Sequence, residues 1–408
     1  MTRYGANVRK TPEWLAAHKR FGELQGKAWF TILGGDNTAA MLSPDESDRV
    51  MEEIVTVCPE YFPVWFHRGI SMLRMGKPAE GERFMDRGFD LMAAVIEDEE
   101  EFGDLLSGTV ETLAGLLKYD LAARYLERTV RLFPETASFY DDLAYYLLQP
   151  PREDNAGAIR MQEKALELDP DNDTFINNLG WIYLVTGDFK KADIYFQKAA
   201  AFNIDNEAVF ANMDILEYMH KHRLSYFEYL VRPVDNRALH DLMAEGDTAE
   251  VSALCRDYND DRLAAFKLHH LRKKTLSPHE ILAALELLDI FMAALEDAAN
   301  AAKEDMFLYE NTELFQRYSR VVFRDLVVGH EIMNRGFLED IGNSARVFYD
   351  FLRDVKLVTP DQFKRFADRL NPLIPEFIQK AGAYSRLCEG RTQTGEELEK
   401  EVERLFGG

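Results

Sequence analysis

Cysteine is scarce in this chain, with three among 408 residues. Cys58, Cys255 and Cys388 are odd in number, far apart and free of CxxC spacing. That excludes a disulfide framework and a zinc knuckle, and leaves each as a small apolar residue for the interior. Long hydrophobic runs are missing too. No segment reaches 18 uninterrupted apolar residues, so no membrane-spanning helix is expected, and Met1-Thr2-Arg3-Tyr4-Gly5-Ala6-Asn7 has no apolar signal core. The expectation is a cytoplasmic protein without membrane insertion. Positive charge is deficient as well: 48 Lys and Arg stand against 71 Asp and Glu, a formal net charge of -23. Neutralising phosphates takes clustered cations, so a nucleic-acid partner is not expected. The one dense basic stretch, His269-His270-Leu271-Arg272-Lys273-Lys274, reads as the cationic last turn of a helix ending near Thr275, where it complements the helix dipole.

Recognisable chemistry is also wanting. There is no GxxxxGK phosphate loop, GxSxG elbow, HExxH helix or dinucleotide fingerprint. His330-Glu331 continues as Ile332-Met333-Asn334, without a second metal-binding histidine. His269 and His270 are adjacent, hence about 100 degrees apart on a helix and poorly placed to share a metal, and His220 and His222 fail likewise. Acid pairs such as Asp141-Asp142 and Glu339-Asp340 are common by chance among 71 acidic residues. No catalytic residue, metal site or cofactor is therefore assigned.

What the chain does contain is a phrase that recurs. Asn178-Leu179-Gly180-Trp181 is followed by Tyr183, Gly187-Asp188-Phe189, Ala192, Phe196 and Ala199. Two antiparallel helices approach closely only where both carry tiny side chains, so Gly180 is expected to meet Ala192, with Tyr183 and Phe196 filling the wider gap and Gly187-Asp188 closing the hairpin. Weaker copies lie upstream: Leu143-Ala144 with Ala158, Ala165 and Pro170; Ala122, Leu126 and Pro134; and Gly69, Gly76, Gly81, Met85 and Gly88 in 62 to 95. The phase slips by about seven residues at Ile96 to Phe102, where the acidic run Glu97 to Glu101 is expected to extend a helix into solvent. Residues 173 to 206 resemble a tetratricopeptide repeat almost throughout, with Ile204 where proline is usual. The resemblance implies an all-α, tetratricopeptide-like helical-hairpin solenoid whose units bury their apolar faces against one another.

Outside the repeats the sequence is helical without a period. Thr11-Pro12 opens a first helix that Gly34-Gly35-Asp36-Asn37 ends, and Ser43-Pro44-Asp45-Glu46, Ser277-Pro278-His279-Glu280 and Thr359-Pro360-Asp361-Gln362 read as capping boxes. Helices are expected over Asp235 to Ala244, Thr248 to Tyr258, about 303 to 334 and 338 to 356, with Asn371-Pro372 ending another and Pro375 opening the next. The division is 1-61, capping helices and a divergent repeat; 62-234, the repeat array with a trailing hairpin; 235-274, a helical connector; 275-390, a C-terminal helical bundle; and 391-408, a charged tail.

In tetratricopeptide proteins the first helix of each unit lines a concave groove. The resemblance places Asn177, Asn178, Trp181 and Leu184 there, with Asn212, Ile215 and Tyr218 from the following hairpin and Asp141, Asp142 and Tyr145 from the preceding one. It implies an interaction scaffold or adaptor for a peptide or protein segment, with Asn178 and Asn212 pairing to its main chain or else bridging neighbouring helices. Asp141 and Asp142 point to a basic partner. The alternative is a C-terminal domain with enzymatic or signal-sensing function that the repeats bring to its target.

Overall fold

The computed structural model describes residues 8–32, 44–302, 304, 306–329, 335–389 and 395–406. The chain divides into two compact units, Met1–Tyr218 and Met219–Gly408, and no strand occurs among the described residues. The fold is all-α, a solenoid of helical hairpins followed by a helical bundle. The expected helix stop at Gly34 to Asn37 and the Ser43 cap lie outside the described residues.

In the first unit a short 3-10 turn, Val8–Lys10, precedes α1 (Pro12–Ile32) and α2 (Pro44–Val57). Four hairpins follow: α3 (Phe62–Arg74) with α4 (Pro78–Val95), α5 (Glu99–Gly115) with α6 (Tyr119–Leu132), α7 (Ala137–Leu148) with α8 (Asn155–Leu168), and α9 (Asp173–Thr186) with α10 (Phe189–Phe202). Next comes α11 (Glu207–His222). The α9–α10 hairpin shows how a tight turn is made. In α9 the Asn172 side chain accepts from the Phe175 amide at the start, and Gly187, at φ 88°, ends the helix with the Asp188 amide donating back to the Tyr183 carbonyl at 2.8 Å. Asp188 then caps α10 through the Lys191 amide. A left-handed residue is what lets the chain reverse there, and glycine adopts it without steric cost. Gly76, at φ 71°, does the same between α3 and α4, whereas Leu117, at φ 55°, does so between α5 and α6 without being glycine.

A Cβ on Gly180 would lie 2.7 Å from the ring of Phe196, one of the two side chains expected to fill the gap beside the Gly180–Ala192 approach. The earlier hairpin shows the same arrangement. Gly69 and Met85 stand sixteen residues apart, as Gly180 and Phe196 do, and a Cβ on Gly69 would lie 2.2 Å from Met85 and 2.9 Å from the Gly81 carbonyl. The first-helix glycine therefore makes room for a large side chain on the second helix. The acidic run faces solvent as expected, with Glu97 to Glu100 exposed, but it opens α5 and does not prolong α4. Asp98 caps α5 by accepting from the Glu101 amide at 2.9 Å, and Glu99 to Glu101 form the first turn, where negative charge complements the helix dipole.

The second unit holds α12 (Tyr226–Leu230), α13 (Asn236–Glu245), α14 (Thr248–Lys273), α15 (Pro278–Ala301), α16 (Thr312–Gly329), α17 (Arg335–Asp354), α18 (Pro360–Glu389) and α19 (Gly395–Phe406). The capping boxes at Ser277 and Thr359 are formed. Three expectations fail. The helix expected to stop at Tyr258 runs on to Lys273, because Tyr258, Ala265, Phe266 and Leu271 are all buried on it. The helix expected from about 303 starts at Thr312, since the Asn259 side chain of α14 donates to the Phe307 carbonyl and accepts from the Tyr309 amide, both at 2.9 Å, and holds that stretch as a loop. Finally, α18 passes through Pro372 and Pro375 unbroken. Both prolines are exposed, as are Asp368 and Asn371 one turn earlier, so the carbonyls left without a helical donor face water. Burial of Leu370, Leu373 and Phe377 on the other side, each apolar side chain contributing roughly 1.5–3 kcal/mol, offsets a cost of about 3 kcal/mol for each of the two prolines.

Candidate functional site

The first helices of successive hairpins are tied to one another by side-chain amides and carboxylates. Asn178 on α9 donates to both carboxylate oxygens of Asp141 on α7, at 2.9 and 3.2 Å. Gln162 on α8 donates to the same carboxylate and to the Phe175 carbonyl. One repeat on, Asn212 of α11 donates to Oδ1 of Asn177 at 3.1 Å. The result is a polar spine through α7, α9 and α11. Burial raises the Asp141 pKa, and the donated hydrogen bonds of Asn178 and Gln162 oppose that rise.

Around this spine the site residues expected from sequence divide. Tyr145 is 50% exposed, Asp142 is exposed, and Trp181, Ile215 and Tyr218 are half-buried. Asn178 and Asn212 are half-buried with their amino groups turned to neighbouring helices. Leu184 is fully buried and Asn177 nearly so, which corrects their placement on an open groove. The cause is the composition of α9: Phe175, Ile176, Leu179, Ile182, Tyr183 and Leu184 are all buried, and a helix apolar on nearly every side becomes enclosed rather than half-open.

The structure adds residues that the sequence reading missed. Between α5 and α7 lies a cavity of about 130 Å³ whose walls include Leu106, Val110 and Tyr146, with Ser107, Glu111 and Asp142 contributing polar groups. Asp142 is exposed at the surface yet crowded by its surroundings, and that enclosure, with the charges of Asp141 and Glu111, pushes its pKa up to about 6. Enclosure and the neighbouring Tyr145 push Tyr119 up to about 12. The seven-residue slip in the repeat hid α5, since a groove position cannot be carried across a shifted frame. A second concavity, of about 790 Å³, is lined by Trp14, Leu15, Tyr61, Phe62 and Leu105, with the Arg9–Glu101 ion pair among its residues.

In the second unit the adjacent histidines pack instead of facing a ligand. His269 and His270 are buried against Phe351, at ring separations of 5.1 and 6.5 Å. Burial, then His269 and Lys273, lowers the His270 pKa to about 4. The fully buried Arg262 donates to the carbonyls of Leu230 and Arg232 and to Glu310, at 2.8, 2.7 and 3.0 Å. It pins the loops at either end of this unit's polar core. Among the described residues no group of three or more His, Cys, Asp or Glu is arranged to hold a metal ion, and no helix among them is long and apolar enough to cross a membrane.

Comparison with known proteins bears on the first unit. The tetratricopeptide repeat family model matches residues 161–194, from within α8 to within α10. The match spans one period, offset in phase from the unit at 173 to 206. Among solved structures, the chain is similar to MamA, residue 41 to the end, from Desulfovibrio magneticus RS-1, with 20% identity over 47% of this chain and 97% of that one and a TM-score of 0.31. It is also similar to the TPR domain of P58(IPK), with 15% identity over 93% and 96% and a TM-score of 0.25. No protein of curated function matches the chain.

Proposed function

Because the chain carries tetratricopeptide repeats, we propose that it is a protein–protein interaction scaffold that binds an extended or helical segment of another protein along the face formed by α7, α9 and α11. The observation that supports this is a row of incompletely buried side chains on a braced base. Tyr145, Trp181 and Ile215 recur at about one-repeat intervals, with Tyr218 one turn beyond Ile215, and all are half-buried or exposed. Such aromatic side chains supply the contact area that dominates interface energy. Beneath them the Asp141–Asn178 and Asn177–Asn212 bonds fix neighbouring helices, so little ordering is left to oppose binding. The filled interior of α15 to α18, where Phe291, Phe315, Phe323, Phe348, Phe366 and Phe377 are buried, favours the scaffold over a catalytic or sensing C-terminal domain.

The test is an affinity pull-down from the native cell with the partner identified by mass spectrometry, repeated with a Tyr145→Ala/Trp181→Ala variant. Partner affinity is expected to fall by about tenfold or more, as for aromatic anchors that each contribute over about 1 kcal/mol, with the helical circular dichroism signal retained. Equal affinity for variant and parent would move the docking face elsewhere.

A further inference from the structure

The cavity between α5 and α7 has a chemistry that the rest of the first unit does not share. On the second helices, acids are compensated: Arg124 pairs with Glu82 and Asp86, each at 3.3 Å, and Arg128 pairs with Asp86 and Asp90. At the cavity they are not. Glu111 accepts from the Ser107 hydroxyl at 3.1 Å, and among the described residues no lysine or arginine pairs with Glu111 or Asp142. Asp141 next door is served by amides, which donate hydrogen bonds but bring no charge. Two carboxylates are thus held near one another beside a hole, with their repulsion unrelieved.

The walls narrow what could relieve it. Leu106, Val110 and the Tyr146 ring are apolar and line the same space as the two acids. Tyr145, in edge contact with Tyr146 at 5.0 Å, is half exposed beside it. We infer that this cavity is an anchoring pocket for one arginine or lysine side chain of the partner segment. A long cationic side chain matches the space in both of its parts, an aliphatic stem for the apolar wall and a charged head for the carboxylates. A neutral or anionic side chain would leave the carboxylates uncompensated in a partly dry site, where an unpaired charge is costly. Asp142 is already held toward its neutral form by enclosure and by Asp141 and Glu111; an entering cation opposes all three, so part of the binding free energy is relief of a strain that the free protein carries. A bare metal ion fits less well, because the described residues offer no third ligating side chain of the usual kinds.

This inference rests on the docking reading above, and one experiment separates the two. A random twelve-residue peptide library displayed on phage is selected against the full-length protein, and the binders are synthesised with each Arg or Lys in turn replaced by citrulline or norleucine. The expected result is one cationic position whose replacement weakens binding by at least about tenfold, as when one partner of a desolvated charge pair is removed. The same replacement is expected to have less than about a twofold effect on the Asp142→Asn/Glu111→Gln variant. Peptides that lose affinity with Tyr145→Ala/Trp181→Ala but are indifferent to their cations, or whose cation matters equally in both proteins, overturn the pocket and leave the docking face standing. Failure to select peptides sensitive to Tyr145→Ala/Trp181→Ala overturns the docking face, and the pocket with it.

Discussion

The α3–α4 hairpin closes on two glycines, whereas the bundle joins one such approach, Gly342 of α17 against Ile374 of α18, to a set of ring contacts. Gly69 and Gly81 lie so close that a Cβ on either would come within 3 Å of the other's carbonyl oxygen. In the bundle Phe315 meets Phe366 at 4.8 Å and Tyr349 stacks on Phe366 at 4.0 Å. The polar groups differ in the same way. In the first unit they form a spine that repeats from hairpin to hairpin, while in the second the fully buried Arg262 gathers two carbonyls and a carboxylate. A repeated contact is local and tolerates drift in any single copy, but a convergent one has no second copy to share the load.

Removing the Arg262 side chain is therefore expected to have the largest effect on this contrast. Arg262→Ala strands the buried Glu310 and two carbonyls, and breaking a buried pair from one side costs about 3–5 kcal/mol. Urea unfolding followed by circular dichroism measures it. A loss below about 1 kcal/mol would mean that the convergent network is no more critical than a surface ion pair.

A smaller effect is expected from filling the repeat contact. Gly69→Ala meets the Gly81 carbonyl, which is backbone, while the three nearest atoms to a Cβ at Gly180 all belong to the Phe196 ring. Overpacking costs typically 1–3 kcal/mol, and the alanine at 69 should be the worse because a ring can pivot where a carbonyl cannot. Melting temperatures in the reverse order would show that the two hairpins are not built alike.

The smallest effect depends on pH. Asp142 titrates in the folded protein at about 6, above its ordinary value of 3.8, so the folded state holds a proton that the unfolded chain has lost between those values. Ionisation of Asp142 thus penalises the fold progressively as pH rises from about 4 to 6 and fully above that. Asp142→Asn should melt above the parent at pH 7 and lose that advantage by pH 4. Because Asp142 is an exposed residue, solvent screening keeps the change in melting temperature modest. A constant difference in melting temperature across that range would mean that Asp142 is not enclosed.

The repeat was legible because its grammar is local. Gly187-Asp188 ends one helix and starts the next within two residues, and Gly69 with Met85 rehearses Gly180 with Phe196. Small residues at Gly180 and Ala192 announce a close approach, and the Phe196 ring is what fills the space beside it. The candidate site was less legible. The sequence carried Asn178 and Asn212 as amides for a partner or as bridges between helices, and side-chain geometry turned their donors inward. Their truncation should consequently cost stability as well as any binding.

By itself the sequence determined the all-α class, the hairpin period, the turn residues and the acidic balance, because helix propensity, capping and glycine conformation act over a few residues. Tertiary structure alone decided that α18 runs through two prolines, that Asn259 keeps 307 to 309 out of a helix, that Leu184 is enclosed, and that Asp142 meets Glu111 across a slipped repeat. Each of those outcomes turns on burial or on a partner about thirty or more positions away, and that competition has no local signature in the chain.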